Sequence, residues 1–354
     1  MHIRQIDTAP FVREHSAYPV KHEEKVLITG GTGFLGKRLT NRLVAEGYPV
    51  RVLARKSSNI EPLKALGVEV FFGDVGDNAS LGVVFKGIDV VIHTAAGTSG
   101  SKKDCGTGTI LGTRNILELC KANSISKLVY ISSCSVYGVA DYTTNHLVTE
   151  ESSLERFPWQ RGNYSASKQQ AESLVTDTMK SMDYPIVILR PGTIYGPGGV
   201  VYTPMMGLSL GNKLFFVFGG GKFELPLVYV DNVIDAILQS MNSGCADNQI
   251  FNVVDTERIT KKLYIQKIVR KLYPKARVVY LPYFLLYGMT WVQEKVLRLL
   301  GRTPFLTTYR LICSQRQVRY GTSKIEVALG WKPRVTFDQA VAEIVFHQRD
   351  SVIR

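Results

Sequence analysis

Cysteine is scarce in this chain and never closely paired. Five thiols, Cys105, Cys120, Cys134, Cys245 and Cys313, are scattered over 354 residues with no C-x-x-C spacing. An odd, dispersed set argues against a disulfide framework or a thiolate zinc site and suits a reducing compartment. The six histidines contain no i, i+4 pair, so no metal site is expected. Uninterrupted apolar runs fall short of the roughly 18–20 residues of a spanning helix. Residues 1–24 are polar, broken by Pro10 and Pro19, and lack the apolar core of a signal peptide. They are expected to form an N-terminal arm, and the expected location is the cytoplasm.

Acidic residues are nearly missing from one region. Between Arg258 and Ile325 stand fifteen Lys/Arg and a single acid, Glu294. The chain's net charge is +13, so the remainder is close to neutral. A basic C-terminal region attracts phosphate-bearing ligands or anionic headgroups, unless it is simply a solvated face. Nucleic acid is not an expected partner.

What is abundant is a repeated βα rhythm. Strands are predicted at Lys25–Thr29, Val50–Ala54, Val68–Phe72, Asp89–His93, Lys127–Ser132 and Ile186–Leu189. Helices are predicted over Phe34–Glu46, Gly112–Ala122 and Tyr164–Met182. Near-continuous apolar strands alternating with helices indicate an α/β fold, a doubly wound parallel sheet covered on both faces. Residues 25–190 are expected to form this Rossmann domain. Residues 191–354 should build mainly a smaller mixed α/β substrate-binding lobe, with segments near 231–254 returning to the sheet.

Thr29-Gly-Gly-Thr-Gly-Phe-Leu-Gly36 lies between the first strand and the first helix. Gly30, Gly33 and Gly36 have the spacing that lets backbone approach a pyrophosphate at a helix N-terminus. Thr32, Phe34 and Leu35 belong to the same cradle. The second strand ends in Ala54-Arg55-Lys56, without the acid that would bind the ribose hydroxyls of NAD. Arg55 suits a 2′-phosphate, so NADP(H) is the favoured cofactor and NAD(H) the alternative. Asp74 and Val75, after the third strand, are placed to contact the adenine. Thr94, Ala95 and Ala96, after the fourth, are small enough for close approach.

Tyr164-Ser-Ala-Ser-Lys168 puts a phenol and an ammonium at i, i+4 on one helical face. The ammonium and a positive nicotinamide ring are expected to lower the phenol's pKa, ordinarily ~10. The phenol would then exchange a proton with a substrate oxygen. Ser133, in Ile131-Ser-Ser-Cys-Ser-Val-Tyr-Gly138, is the chosen third member, with Ser132 and Ser135 as rivals.

These motifs resemble the extended short-chain dehydrogenases/reductases, in particular the NAD(P)-dependent epimerase/dehydratase and 3β-hydroxysteroid dehydrogenase group. The resemblance continues through Leu189–Pro197, Val228–Asn232 and Leu329–Pro333. It implies catalytic roles for Ser133, Tyr164 and Lys168, and places Pro191, Thr193 and Ile194 beside the nicotinamide. Homodimers are common in this family. One departure is Thr109, where the family usually has an Asn.

Three features bear on the substrate. Cys134 and Ser135 stand where dehydratases carry an Asp-Glu pair, which argues against elimination. Glu224-Leu-Pro-Leu227 stands where epimerases carry a phosphate-binding Arg, although Arg316 or Arg319 offers a substitute. Val278–Gln293 is sixteen uncharged residues rich in aromatic and aliphatic groups, followed by Lys295, Arg298 and Arg302. This run is expected either to pack in the lobe, to wall an apolar substrate tunnel, or, over residues 278–302, to touch a membrane surface. The expected function is interconversion of a secondary alcohol and a ketone on an apolar or mixed small molecule, sterol-like or 3-oxoacyl-like. Nucleotide-sugar epimerisation or reduction is the alternative.

Overall fold

A computed structural model describes residues 22–181, 184–302 and 304–353. Most of the expected N-terminal arm lies outside the described residues.

Seven strands form one sheet: β1 (Val26–Thr29), β2 (Val50–Ala54), β3 (Glu69–Phe72), β4 (Val90–His93), β5 (Lys127–Ile131), β6 (Ile186–Pro191) and β7 (Ile250–Val253). Their spatial order is β3-β2-β1-β4-β5-β6-β7, and every pairing is parallel. The apolar runs are continuous because both faces are covered. Val26 and Ile28 of β1 pack on one side with Leu39 and Leu43 of α1 (Phe34–Ala45). Leu27, between them, packs on the other with Ile116 and Cys120 of α2 (Gly112–Ala122) and Val175 of α3 (Asn163–Met179). A fully buried Leu, Ile or Val contributes roughly 1.5–3 kcal/mol over an exposed one, so a register slip in a central strand would be costly on two faces. The chain reverses its winding between β1 and β4, which opens the crevice where such sheets bind ligands.

Two consecutive helical segments ahead of α2 were among those not evident in the sequence. Helix precedes α2 from Lys102, where the Ser101 hydroxyl caps the Asp104 N–H at 3.1 Å, and passes through a π-helical stretch at Gly106–Leu111. Gly106, Thr107, Gly108 and Thr109 are weak helix formers, which masked this extension.

Beyond β6 a short strand, Thr193–Tyr195, pairs in parallel with Leu227–Tyr229. The helix α4 (Val230–Asn242) then covers the α1 face of the sheet before β7 joins its edge. The rest of the lobe holds a three-stranded sheet of Gly207–Leu210, Leu214–Phe218 and Arg277–Leu281. It also carries α5 (Tyr283–Leu299), α6 (Thr308–Gln315) and α7 (Phe337–Ile353). Val318–Tyr320 pairs with His146–Val148, stitching the lobe to the loops after β5.

Candidate active site

The glycine turn sits at the head of β1 and is sterically required. Gly30 has φ +76°, and a Cβ there would lie 2.7 Å from Thr94 Oγ1. A Cβ on Gly36 would fall 2.2 Å from the Gly30 carbonyl oxygen. The first turn of α1 has no side-chain cap and no acidic residue. Its free N–H groups therefore fit an anionic pyrophosphate, the group expected here. Leu35 is buried in the core and Phe34 covers the Gly196–Gly199 turn, so both present backbone rather than polar side chains to the crevice. Thr32 Oγ1 donates to Ser58 Oγ at 3.3 Å, linking the turn to the segment after β2.

The neighbouring strand ends line the same edge. Arg55 is exposed immediately after β2. Asp74 Oδ1 accepts the Gly76 N–H at 2.8 Å, so part of this carboxylate is used to shape its own turn. Val75 is buried, and Asn115 Nδ2 donates to its carbonyl at 2.8 Å. Thr94 Oγ1 donates to the Thr29 carbonyl at 2.7 Å, while Ala95 and Ala96 remain partly exposed. Thr109 is buried, and its hydroxyl accepts the Gly97 N–H at 2.8 Å and fixes the loop after β4. At the end of β6, Pro191 is buried, the Thr193 N–H donates to the Pro226 carbonyl at 2.6 Å, and Ile194 is partly exposed.

Ser133 and Tyr164 are neighbours, the serine hydroxyl favouring the ionised phenol. The Ser133 hydroxyl also accepts the Ser135 N–H at 3.1 Å, which fixes its position at the head of β5. One turn beyond Tyr164, Lys168 is buried and its ammonium donates to the Ile131 carbonyl at 2.7 Å. Burial pulls the Lys168 pKa down to about 8, opposed by the Glu172 carboxylate. Burial likewise pushes the Tyr164 phenol above its ordinary value, the neighbouring Ser133 hydroxyl only partly offsetting it. Lys168 is not among the groups acting on the phenol, so the expected lowering by it is not found in the protein alone.

The rivals of Ser133 have other positions. Ser132 is buried and donates to Glu172, which is paired with Arg190 at 2.6 Å. The Ser135 hydroxyl is buried and has no hydrogen-bond partner among the described residues. Sequence reasoning missed Glu172, Arg190 and the buried His93, whose ring nitrogens meet Thr29 Oγ1 at 2.6 Å and Thr113 Oγ1 at 3.1 Å. Nothing local in the sequence pairs these groups. A cleft between the lobe and the loops after β5 is lined by apolar Val139, Met205, Leu225 and Pro226, and by Arg161, Lys261 and Arg316. Burial lowers the Lys261 pKa to about 7. No group of residues able to hold a metal ion occurs among the described residues.

The comparisons match this architecture. The model of the NAD dependent epimerase/dehydratase family covers residues 26–253, and the chain belongs to that family. It is an extended short-chain dehydrogenase/reductase, an oxidoreductase class with a dinucleotide-binding Rossmann fold. A 4-hydroxy-2-methyl-3-oxo-4-farnesyl-3,4-dihydroquinoline-1-oxide ketoreductase of Stigmatella aurantiaca is 27% identical over 90% of this chain and 94% of its own. A decarboxylating sterol-4-alpha-carboxylate 3-dehydrogenase of Dictyostelium discoideum is 27% identical over 91% of this chain and 100% of its own. Among solved structures, a UDP-glucose 4-epimerase of Thermotoga maritima with UDP-glucose superposes with a TM-score of 0.73. It is 20% identical and covers 93% of this chain and 99% of its own.

Proposed function

We propose that this protein is an NADP(H)-dependent reductase or dehydrogenase that interconverts a ketone and a secondary alcohol on a largely apolar small molecule. The observation that carries the reading is the Ser133 hydroxyl beside the Tyr164 phenol, one helical turn from the buried Lys168 ammonium. In this reading Ser133 orients the substrate oxygen and Tyr164 gives or takes its proton. Lys168 supplies the positive charge that favours a phenolate. NADP(H), when bound, supplies or accepts the hydride. The glycine turn at Gly30, Gly33 and Gly36, with Thr32, Phe34 and Leu35, would hold its pyrophosphate. Arg55 would meet the 2′-phosphate, Asp74 and Val75 the adenine side, and Thr94–Ala96 with Pro191, Thr193 and Ile194 the nicotinamide side.

The two relatives named for keto-reduction and for 3-dehydrogenation support this chemistry, and their farnesyl and sterol substrates support the apolar class. Nucleotide-sugar epimerisation is the second reading. The three cations Arg161, Lys261 and Arg316 on one cleft favour it, while buried Leu225 and the Glu224–Arg258 ion pair at 2.5 Å oppose a phosphate anchor at 224–227. The deciding experiment follows NADPH and NADH absorbance with a panel of apolar ketones and UDP-sugars. Ketone-dependent oxidation of NADPH is expected. NAD retained through purification, with UDP-sugar interconversion and no net cofactor turnover, overturns the reading.

A further inference from the structure

The polarity of α5 is inverted for a helix that faces water. Its buried stripe is Leu286, Thr290 and Glu294, at successive i, i+4 positions. Glu294 accepts the Thr308 N–H at 2.7 Å and the Arg298 guanidinium at 2.5 Å. Gln293 donates to the Leu306 carbonyl at 2.6 Å and accepts the Phe305 N–H at 3.1 Å. These bonds fix the rotation of the helix and turn its polar side inward, against α6 and the chain leading to it. The opposite side presents Phe284 (78% exposed), Met289, Val292, Val296 and Leu299 (89% exposed), extended by Phe305. A soluble helix places such residues against the core.

This face lies in the most basic part of the chain. Lys295, Arg298 and Arg302 flank it and are exposed, and the one acid among residues 258–325 is the buried Glu294. A second copy docked on the same face would bring like charges together, so self-association is opposed. An anionic surface is attracted. Trp291, Tyr283 and Tyr287, all partly exposed, are of the amphipathic aromatic type that settles at a lipid–water boundary. No described helix is long and apolar enough to cross a membrane, so α5 fits in-plane contact rather than insertion.

We propose that α5, with Phe305, is a docking face for an anionic bilayer, its apolar side sunk to the headgroup boundary and its basic residues among lipid phosphates. The proposal is independent of the hydride chemistry. It is tested by co-sedimenting the full chain with vesicles of equal parts phosphatidylcholine and phosphatidylglycerol, and with phosphatidylcholine alone. Binding to the mixed vesicles is expected, weakening with salt. The double variant Val292→Glu, Leu299→Glu should lose roughly tenfold or more in affinity. Lys295→Ala and Arg302→Ala should each lose about fivefold on the anionic vesicles alone. Unchanged thermal unfolding and NADPH binding would verify that these exposed changes leave the fold intact. Absence of sedimentation with either vesicle, or equal binding by the double variant, overturns the proposal. So does a dimer in sedimentation velocity that the double variant dissolves while the parent ignores vesicles, since the face would then join two copies.

Discussion

The Glu172 carboxylate lies 2.6 Å from the Arg190 guanidinium, both buried, directly behind the loop that carries Ser133. Ser132 donates to the same carboxylate, and Arg190 donates to the Tyr137 hydroxyl at 2.7 Å, which in turn donates to Asn252 at 2.6 Å. One network thus joins α3, the β5 loop, β6 and β7. Removing one partner strands a buried charge. Glu172→Ala is expected to lower the unfolding free energy by about 3–5 kcal/mol, read by urea denaturation. A loss below about 1 kcal/mol would mean that the network is not a fixed part of the site.

The proton chemistry makes a pH prediction. Lys168 loses its charge near pH 8, while the phenol of Tyr164 is held above its ordinary value and stays protonated there. Ketone reduction needs the protonated phenol and, in our reading, the Lys168 cation. Its kcat/KM should hold through neutral pH and fall as pH rises past about 8. Tyr164→Phe should reduce kcat by roughly 10²–10⁴-fold with NADPH affinity retained. A Tyr164→Phe enzyme that keeps most of its turnover would remove the phenol from the mechanism.

Much of this arrangement is legible from local patterns, and the remainder depends on partners distant in sequence. The strands β1 to β6 stand within two residues of their predicted ends because each is a short, mainly apolar run. The site motifs are likewise local: a glycine turn, and a Tyr and a Lys one helical turn apart. Glu172–Arg190 and Thr29–His93–Thr113 join different elements, and no spacing announces them. Lys261 reads as a surface residue, yet it is buried with its ammonium on Gln315 Oε1 at 2.9 Å. The run at 278–293 divides into an edge strand and an outward-facing helix, because the buried anchors Glu294 and Gln293 set the rotation rather than the apolar side chains.

In the proposed reading, cofactor choice rests on Arg55. A charge-assisted hydrogen bond contributes about 1.5–3 kcal/mol, so Arg55→Ala should weaken NADPH binding by roughly 10- to 100-fold and leave NADH nearly unchanged. Fluorescence titration of the two reduced cofactors reads this directly. Equal losses for both would assign Arg55 to the fold instead of the 2′-phosphate.

Gly36→Ala tests the turn itself. The added methyl would overlap the Gly30 carbonyl at 2.2 Å and the Gly31 Cα at 2.7 Å, both backbone atoms that cannot rotate away. The turn must open, and α1 must shift from β1. Loss of both NADPH and NADH binding is expected, unlike the selective loss at Arg55. Wild-type titrations for both cofactors would show that the helix N-terminus is not the pyrophosphate site.

His93 predicts how the enzyme meets acid. It is fully buried at the end of β4, and burial with the nearby Lys168 charge lowers its pKa to about 3 from an ordinary 6.5. Above pH 6.5 the imidazole is neutral in both folded and unfolded chains and costs nothing. Below it the unfolded chain takes up a proton that the native state refuses, so stability falls as pH drops, until the native group also titrates near 3. Between pH 7 and pH 5 this one residue should remove roughly 2 kcal/mol, a loss opposed by Asp255, whose carboxyl pKa burial raises to about 7 and which takes up its proton first in the native state. His93→Asn keeps an amide to meet Thr29 or Thr113 and cannot be protonated. Its unfolding free energy should be lower at neutral pH, through lost packing, but over that interval it should lose about 2 kcal/mol less than the parent's. An equally steep acid slope in the variant would show that another group carries the protonation.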